Sequence, residues 1–124
     1  MNYKTFNYKR NKNCAFEVSN YQCNPQAMAI LIVNSKGEEE ARATVNMPDY
    51  FYSPNTATIK NYSENAGMTE FLKQLGILED IYSRKKCHPL AIDTETIDYC
   101  QINIEKLKEY SKTFNYEWNI KKRK

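Results

Sequence analysis

Polar and apolar positions in the first half of the chain follow the pattern of a β-hairpin. Side chains of residues 14–22 alternate between two faces, which is the period of a strand, and residues 28–33 are continuously apolar, as in a central strand. Residues 34–37 supply turn chemistry, with Gly37 free to take a positive φ. Residues 40–47 are predicted to form the returning strand.

Pro48 ends this hairpin, because proline cannot donate to a strand ladder. The aromatic-rich residues 49–55 that follow are predicted to be a loop. Short strands are predicted over residues 57–62 and 96–103, where β-branched and aromatic residues are concentrated. The basic triplet at residues 84–86 is predicted to be an exposed turn.

Apolar residues spaced at i, i+3, i+4 and i+7 predict a first helix between Met68 and Leu75, with Asn65 or Thr69 as its cap. Gly76 is placed for a left-handed C-terminal cap. A second helix is predicted over residues 104–115, capped by Asn103. The predicted fold is therefore α+β: a single domain over residues 1–124, with a mainly antiparallel sheet of about four to five strands and two helices packed on it.

Composition is that of a globular cytoplasmic protein. At 41% hydrophobic and 13% aromatic, the chain of 124 residues can bury a core. The longest apolar run, residues 27–33, is far shorter than the roughly 20 residues of a membrane span. In the expected cytoplasmic location the four cysteines are predicted to be reduced: Cys14, Cys23, Cys87 and Cys100. They show no CxxC pair and no zinc signature, so they are predicted to be small buried side chains.

The net charge of +3 hides a division of charge along the chain. Eight of the 18 basic residues lie in two ends, residues 1–12 and 120–124, which are candidates for mobile segments. The remaining ten basic residues stand against all 15 acids, so the body between the ends carries about −5. An acidic body between basic ends bears on partners rather than on fold.

No motif in the chain specifies an enzyme or a cofactor. Cys87 and His88 resemble a nucleophile and base, but neighbours on a strand point apart, and His88 is the only histidine. The three glycines form no phosphate-binding loop, and no serine-hydrolase elbow is present. We therefore predict no catalytic residue, no metal site and no cofactor.

Acidic clusters and basic ends give two alternative binding surfaces. One is a protein-interaction surface at two acidic clusters, Glu38, Glu39 and Glu40 after the hairpin turn and Asp93, Glu95 and Asp98 near the last predicted strand; solvated surface is the alternative reading of both. The other is a single-stranded nucleic-acid site, because basic residues interleaved with aromatic ones suit phosphates and bases. Its candidates are Lys9, Arg10, Lys12, Lys121, Lys122, Arg123 and Lys124, which are alternatively solvated tails.

Three stretches resemble a family of small uncharacterised proteins carried by conjugative elements, plasmids and phages of low-GC gut bacteria. They are residues 37–48 ending in ATVNMP, residues 61–76 with YSEN before a helix, and residues 99–110, reading YCQINIEKLKEY. The resemblance covers roughly residues 27–110 and brings no catalytic residues with it. It implies a mobile-element accessory protein, and proteins of that kind often block host defence, including CRISPR effectors, by occupying a protein surface.

The predicted function is thus a non-catalytic, protein-binding accessory protein, with inhibition of a host defence nuclease (anti-CRISPR type) as its specific form. The predicted partner is a host or element-encoded protein, with no membrane involved. The alternative is a single-stranded nucleic-acid-binding module that uses the basic ends. The sequence leaves the oligomeric state open, although an exposed edge strand would favour self-association.

Overall fold

A long strand near the start of the chain organises the first of two sheets. The computed structural model describes residues 3–118. The strands of this sheet are β1 (Phe6–Tyr8), β2 (Asn11–Asn20), β3 (Met28–Val33), β4 (Glu39–Arg42) and β8 (Ser111–Phe114). On one side β2 pairs antiparallel with β3, which in turn pairs with β4, so the predicted hairpin and the strand at Met28–Val33 are confirmed. On its other side β2 pairs with β1 and, in parallel, with β8.

The second sheet is antiparallel, with strand order β5-β7-β6. Its strands are β5 (Thr56–Asn61), β6 (Leu78–Lys86) and β7 (Thr96–Ile102). The short segment after β4 joins the two sheets, since Thr44 bridges to Ile59 and the Val45 N–H donates to the Thr58 carbonyl at 3.0 Å. The prediction of one sheet with four to five strands is therefore wrong, because the described residues form eight strands in two sheets.

The first helix lies close to where its apolar spacing predicts it. Helix α1 (Met68–Gln74) follows a single 3-10 turn at Ser63–Asn65 and lies against β5 and β6. Neither predicted cap is used, because Gly67, with φ +91°, begins the helix without a side-chain cap. Gly76 takes a φ of +82°, as predicted for the end of this helix, and lets Ile77 turn into the core.

The second helix is shorter than predicted. Helix α2 runs from Ile104 to Glu109, and Asn103 caps it as predicted, its Oδ1 accepting the Lys106 N–H at 3.1 Å. Residues 111–114, predicted as the last turn of this helix, instead form β8. The strand is favoured over the helix because the main chain just before and just after residues 111–114 bonds to β2. The Phe16 N–H donates to the Tyr110 carbonyl at 2.9 Å, and the Asn115 N–H donates to the Val18 carbonyl at 2.8 Å. Helix α2 contacts β8 rather than a broad sheet face.

One hydrophobic core is shared by both sheets and both helices. It joins apolar side chains of β1, β2 and β3 to side chains from α1, α2 and the second sheet. Its largest fully buried members include Phe16, Met28, Ile30, Ile32, Ile59, Met68, Leu72, Ile77, Ile102 and Leu107. Because apolar side chains from Phe6 to Tyr116 are buried together in this core, the two sheets pack against each other as one unit.

The predicted basic end at residues 1–12 is partly built into the core. Phe6 and Tyr8 of β1 are buried, and the Lys4 N–H donates to the Glu109 carbonyl at 2.7 Å. The basic residues of this end therefore lie on a β1–β2 hairpin, and the buried aromatic side chains of β1 pack in the core. Residues 119–124, which include the rest of the predicted basic ends, lie outside the described residues.

The basic triplet Arg84, Lys85 and Lys86 forms the end of β6 rather than a turn. These residues pair with Asp98, Ile97 and Thr96 of β7. The turn instead comes at residues 87–95, after the hydrogen-bonded ladder has ended. A run of basic residues indicates exposure to water, which a turn and an edge strand provide equally well.

Within residues 3–118, no helix is long and apolar enough to cross a membrane.

The four cysteines are free, but they do not share one environment. Cys14 and Cys100 are buried as predicted, whereas Cys23 is exposed and Cys87 is half-buried, which corrects the prediction for those two. Burial raises the pKa of the Cys14 thiol, and it raises that of Cys100 to about 12. The two buried thiols are therefore neutral and shielded from reagents at neutral pH.

Thiol labelling should separate these two classes. With iodoacetamide at pH 8, we expect Cys23 and Cys87 to be alkylated in the native protein, and Cys14 and Cys100 only after unfolding, because only an accessible thiolate reacts. Peptide mass spectrometry over a time course measures each site. Alkylation of Cys100 as fast as that of Cys23 in the native protein would contradict the described packing.

Candidate functional site

The first predicted acidic cluster is tied into the β3–β4 turn. The Asn34 side-chain amide donates to Glu38 at 3.1 Å and to Glu40 at 2.7 Å, and Asn11 donates to Glu40 at 2.8 Å. Glu39 lies 3.8 Å from Arg42. The carboxylates are exposed, but Glu38 and Glu40 brace the turn, so they do not form a freely projecting acidic tip.

The basic residues of the N-terminal hairpin come to the same end of the sheet. Arg10, Lys12 and Lys36 line one shallow depression together with Glu38 and Glu40. Lys9 points elsewhere and donates from its Nζ to the Glu64 carbonyl at 2.9 Å. This end of the sheet thus mixes both signs of charge. The other predicted nucleic-acid contacts, Lys121, Lys122, Arg123 and Lys124, lie outside the described residues.

The second predicted acidic cluster is divided by the fold. Asp98 is 0% exposed in β7, so it is not part of a solvated acidic surface. Asp93 and Glu95 lie in the loop before β7 rather than on a strand face. Asp93 pairs with Lys86 at 3.3 Å, and Glu95 accepts the Ser63 N–H at 2.8 Å.

A buried polar network lies where β7 meets α1. Asp98 accepts the Arg84 Nε and Nη2 at 3.0 and 3.1 Å and the Thr69 hydroxyl at 2.5 Å. Asn61 extends the network, since its Oδ1 accepts the Thr69 N–H and its amide donates to Thr96. These partners satisfy a carboxylate that would otherwise be costly to bury. The network underlies an open cleft of about 310 Å³ lined by Asn61, Thr69, Glu70, Arg84, Asp93 and Thr96, among others.

Cys87 and His88 do not join this cleft, whose lining includes Asp93 but neither of them. The His88 Nδ1 accepts the Leu90 N–H at 3.0 Å, so this ring nitrogen serves the local loop. Among the described residues no group of three histidine, cysteine or acidic side chains could hold a metal ion.

An aromatic patch lies on the second sheet, where the rings of Tyr50, Tyr52, Tyr82 and Tyr99 contact one another and Phe51 lies in the same loop as Tyr50 and Tyr52. Tyr99 of β7 lies at its centre, with ring centroids 5.8–5.9 Å from those of Tyr50, Tyr52 and Tyr82. Phe51 is 85% exposed and Tyr82 is 55% exposed. Tyr50 and Tyr99 are half-buried and Tyr52 is buried, so the exposed aromatic surface consists mainly of Tyr82 and Phe51. Aromatic residues are enriched at protein interfaces.

Hydrogen bonds hold three rings of the patch in place, those of Tyr52, Tyr82 and Tyr99. The buried Tyr52 hydroxyl contacts Thr58 Oγ1 at 2.8 Å and accepts the Met47 N–H at 3.1 Å. The Tyr99 hydroxyl accepts the Ser53 N–H at 3.0 Å, which ties the loop to the sheet. Tyr82 donates to Gln101 at 2.9 Å. Rings fixed in advance lose little conformational entropy when a partner covers them.

The sequence predicted only the loop residues of this patch. Residues 49–55 are correctly predicted as an aromatic-rich loop, but nothing local links that loop to Tyr82 or Tyr99, which are 30 or more positions further along. The alternation of β7 carried the missing signal: Cys100 and Ile102 face the core, so Tyr99 and Gln101 lie on the opposite face. Only the pairing of β7 with β5 and β6 shows which aromatic residues meet there.

Strand β6 borders the patch and forms an edge of the second sheet. Within the described part of the chain, it pairs with β7 on one side and with no strand on the other. All residues from Glu79 to Lys86 are exposed, including the large apolar side chains of Ile81 and Tyr82. An open edge of this kind can accept another strand through its unpaired backbone groups.

Similarity to known proteins adds nothing to this geometry. Comparisons with protein-family models, with curated proteins and with solved structures gave no match in any of the three. The resemblance to small mobile-element proteins, which rests on residues 37–48, 61–76 and 99–110, stays a prediction. The aromatic patch and the edge strand beside it are the candidate site that the chain's own geometry supports.

Proposed function

We propose that this chain is a non-catalytic protein-binding accessory protein that engages its partner through the aromatic patch. The observation that carries the proposal is a cluster of four tyrosine rings in mutual contact, of which Tyr82 is 55% exposed, beside the 85% exposed Phe51 in the adjoining loop. Aromatic residues supply much of the binding free energy at protein interfaces. The acidic clusters support the proposal less, because Asp98 is buried and Glu38 and Glu40 brace a turn.

Charge around the patch favours a protein partner over nucleic acid. Asp49, which precedes Tyr50, is exposed. Asp80 is also exposed and is the register partner of Gln101, which accepts the Tyr82 hydroxyl. Carboxylates beside the rings repel a phosphate backbone, whereas nucleic-acid platforms combine aromatic residues with cations. The single-stranded nucleic-acid alternative keeps two supporting observations: Arg10, Lys12 and Lys36 meet at one depression, and the exposed Lys85 lies three positions after Tyr82 in β6.

The specific form of the proposal is inhibition of a host defence nuclease, of the anti-CRISPR type. Its support is the resemblance to mobile-element proteins, together with a surface suited to covering part of another protein. A chain of 124 residues can act in this way by steric occupation alone, without a catalytic centre. A nuclease target is inferred only by analogy with other small proteins of mobile elements. The partner itself must therefore be identified by experiment.

Affinity capture with surface variants tests the proposal. The full chain is used as bait in lysate of a low-GC gut bacterium, beside a Phe51→Asp variant and a matched Leu90→Asp control; Leu90 is 88% exposed and lies outside the patch. We expect the wild type and the control to retain the same partner, and Phe51→Asp to bind it at least ~10-fold more weakly when the purified pair is titrated, because a charge would be buried in the interface.

Two results would overturn the proposal: recovery of no specific protein at low salt, or equal affinity of Phe51→Asp and wild type. Recovery of nucleic acid that is lost on substituting Arg10 and Lys12 would favour the alternative. A purified nuclease partner then allows the specific form to be checked, since added wild-type chain should reduce DNA cleavage and Phe51→Asp should not.

A further inference from the structure

The open edge strand β6 carries its charges in two blocks. Glu79 and Asp80 lie in its first half, and Arg84, Lys85 and Lys86 in its second half. Glu79, Asp80 and Lys85 form no ion pair with another described residue. The strand is therefore a line of acidic and then basic side chains, exposed along an edge where backbone groups lack a partner strand.

This order of charges is complementary to itself when the strand is reversed. We propose that β6 pairs antiparallel with β6 of a second copy of this chain, about a two-fold axis between Tyr82 and Ser83. In that register Asp80 faces Lys85, and Glu79 comes near Lys86, which also pairs with Asp93 of its own chain. Each contact occurs twice, as an isologous interface requires. Ile81 faces Arg84, whose guanidinium is held by Asp98. The register shift between Ile81 and Ser83 puts Asp80 and Lys85 on one face of β6, since their β7 partners are Gln101 and Ile97. Directly opposed residues of an antiparallel pair share a face, so these opposite charges come close.

The same features disfavour other occupants of the edge. A parallel arrangement of two copies would set like charges side by side, which is unfavourable. A strand of mostly apolar residues would leave the charges of Glu79, Asp80 and Lys85 without partners, and charged edges are a common protection against such pairing. Strand β6 also shifts register against β7 on both sides of Asp80 and Ile81, and such irregularities twist an edge away from flat stacking. A second copy meets these conditions because it supplies the reversed charge order and the same twist.

Pairing of this kind would join the two second sheets into one sheet of six strands. Because the two-fold axis stands perpendicular to the sheet, both aromatic patches would lie on the same face, with Tyr82 of each copy near the axis. The dimer does not depend on the proposed partner binding. It would, however, present two copies of the patch to one partner.

Charge reversal in matched pairs tests the dimer. Sedimentation equilibrium of the full chain, from about 1 to about 500 μM in low salt, should show a monomer–dimer equilibrium. The variants Glu79→Lys/Asp80→Lys and Lys85→Glu/Lys86→Glu should each dimerise at least ~10-fold more weakly than wild type, because like charges then face each other. Mixed in equal amounts, the two variants should form a heterodimer of at least wild-type affinity.

A control variant, Glu39→Lys/Glu117→Lys, makes the same change in net charge as Glu79→Lys/Asp80→Lys but away from β6, and it should dimerise like wild type. Circular dichroism checks that all variants keep the wild-type fold. A monomer at every concentration, or a dimer that neither reversal weakens, would overturn the proposal. So would failure of the mixed variants to associate. Each of these readouts is an oligomeric state, so they are separate from the capture of a partner through Phe51.

Discussion

Replacing Phe16 by alanine is expected to lower the free energy of unfolding by about 3–5 kcal/mol. Phe16 is 0% exposed, and its strand β2 lies between β3 on one side and β1 and β8 on the other. Its ring also packs on Phe6, with centroids 4.6 Å apart. Removing it leaves a cavity in the strand that both β1 and β8 pair with. The loss is a large part of the roughly 5–15 kcal/mol by which domains of this kind are stable.

Urea denaturation followed by circular dichroism measures this effect, and Phe51→Ala is its matched control. Because Phe51 is 85% exposed, the same substitution there should change the free energy of unfolding by no more than about 0.5 kcal/mol. A Phe16→Ala variant that lost less than about 1 kcal/mol would show that this ring is not central to the core.

Replacing Arg84 by methionine is expected to cost about 2–3 kcal/mol of unfolding free energy. The substitution leaves the buried carboxylate of Asp98 with only the Thr69 hydroxyl among its described side-chain partners. Breaking a fully buried ion pair costs about 3–5 kcal/mol, and the value here is lower because the Arg84 side chain is 51% exposed to water. Methionine keeps most of the apolar stem, so loss of packing contributes little.

A double-mutant cycle separates this charge effect from packing. The Asp98→Asn change removes the negative charge at nearly constant shape, so Arg84→Met should cost distinctly less in that background than in the wild type. Lys85→Met is the control, since Lys85 is next in the strand and forms no ion pair with another described residue. Equal costs for Arg84→Met and Lys85→Met in urea denaturation would refute an essential role for the Arg84–Asp98 pair.

Local patterns in the sequence predicted much of the secondary structure correctly. Continuous apolar character located β3 at Met28–Val33, and the apolar spacing after residue 65 located α1. Gly76 and Asn103 end and begin helices as predicted, because a positive φ and a side-chain cap are properties of single residues. These features depend on neighbours in sequence, so one chain is enough to predict them.

The errors arose where distant segments compete for the same residues. Residues 111–114 have an acceptable helical pattern, yet parallel pairing with β2 draws them into β8. Asp98 was predicted to be a surface acid because acids are usually exposed, but pairing of β7 with β6 brings Arg84 beside it. Neither outcome could be read locally, since the partners lie 14 to about 95 positions away.

The same division holds for the candidate site. The amino-acid order alone established the α+β class, the main hairpin, α1 and the clusters of like charge along the chain. The fold decided that Glu38 and Glu40 brace a turn, that Asp98 is buried, and that Tyr82 and Tyr99 meet the loop at Tyr50–Tyr52. The physical reason is that short-range preferences set φ and ψ residue by residue. Burial, ion pairing and aromatic contact depend instead on which strands pair across the whole chain.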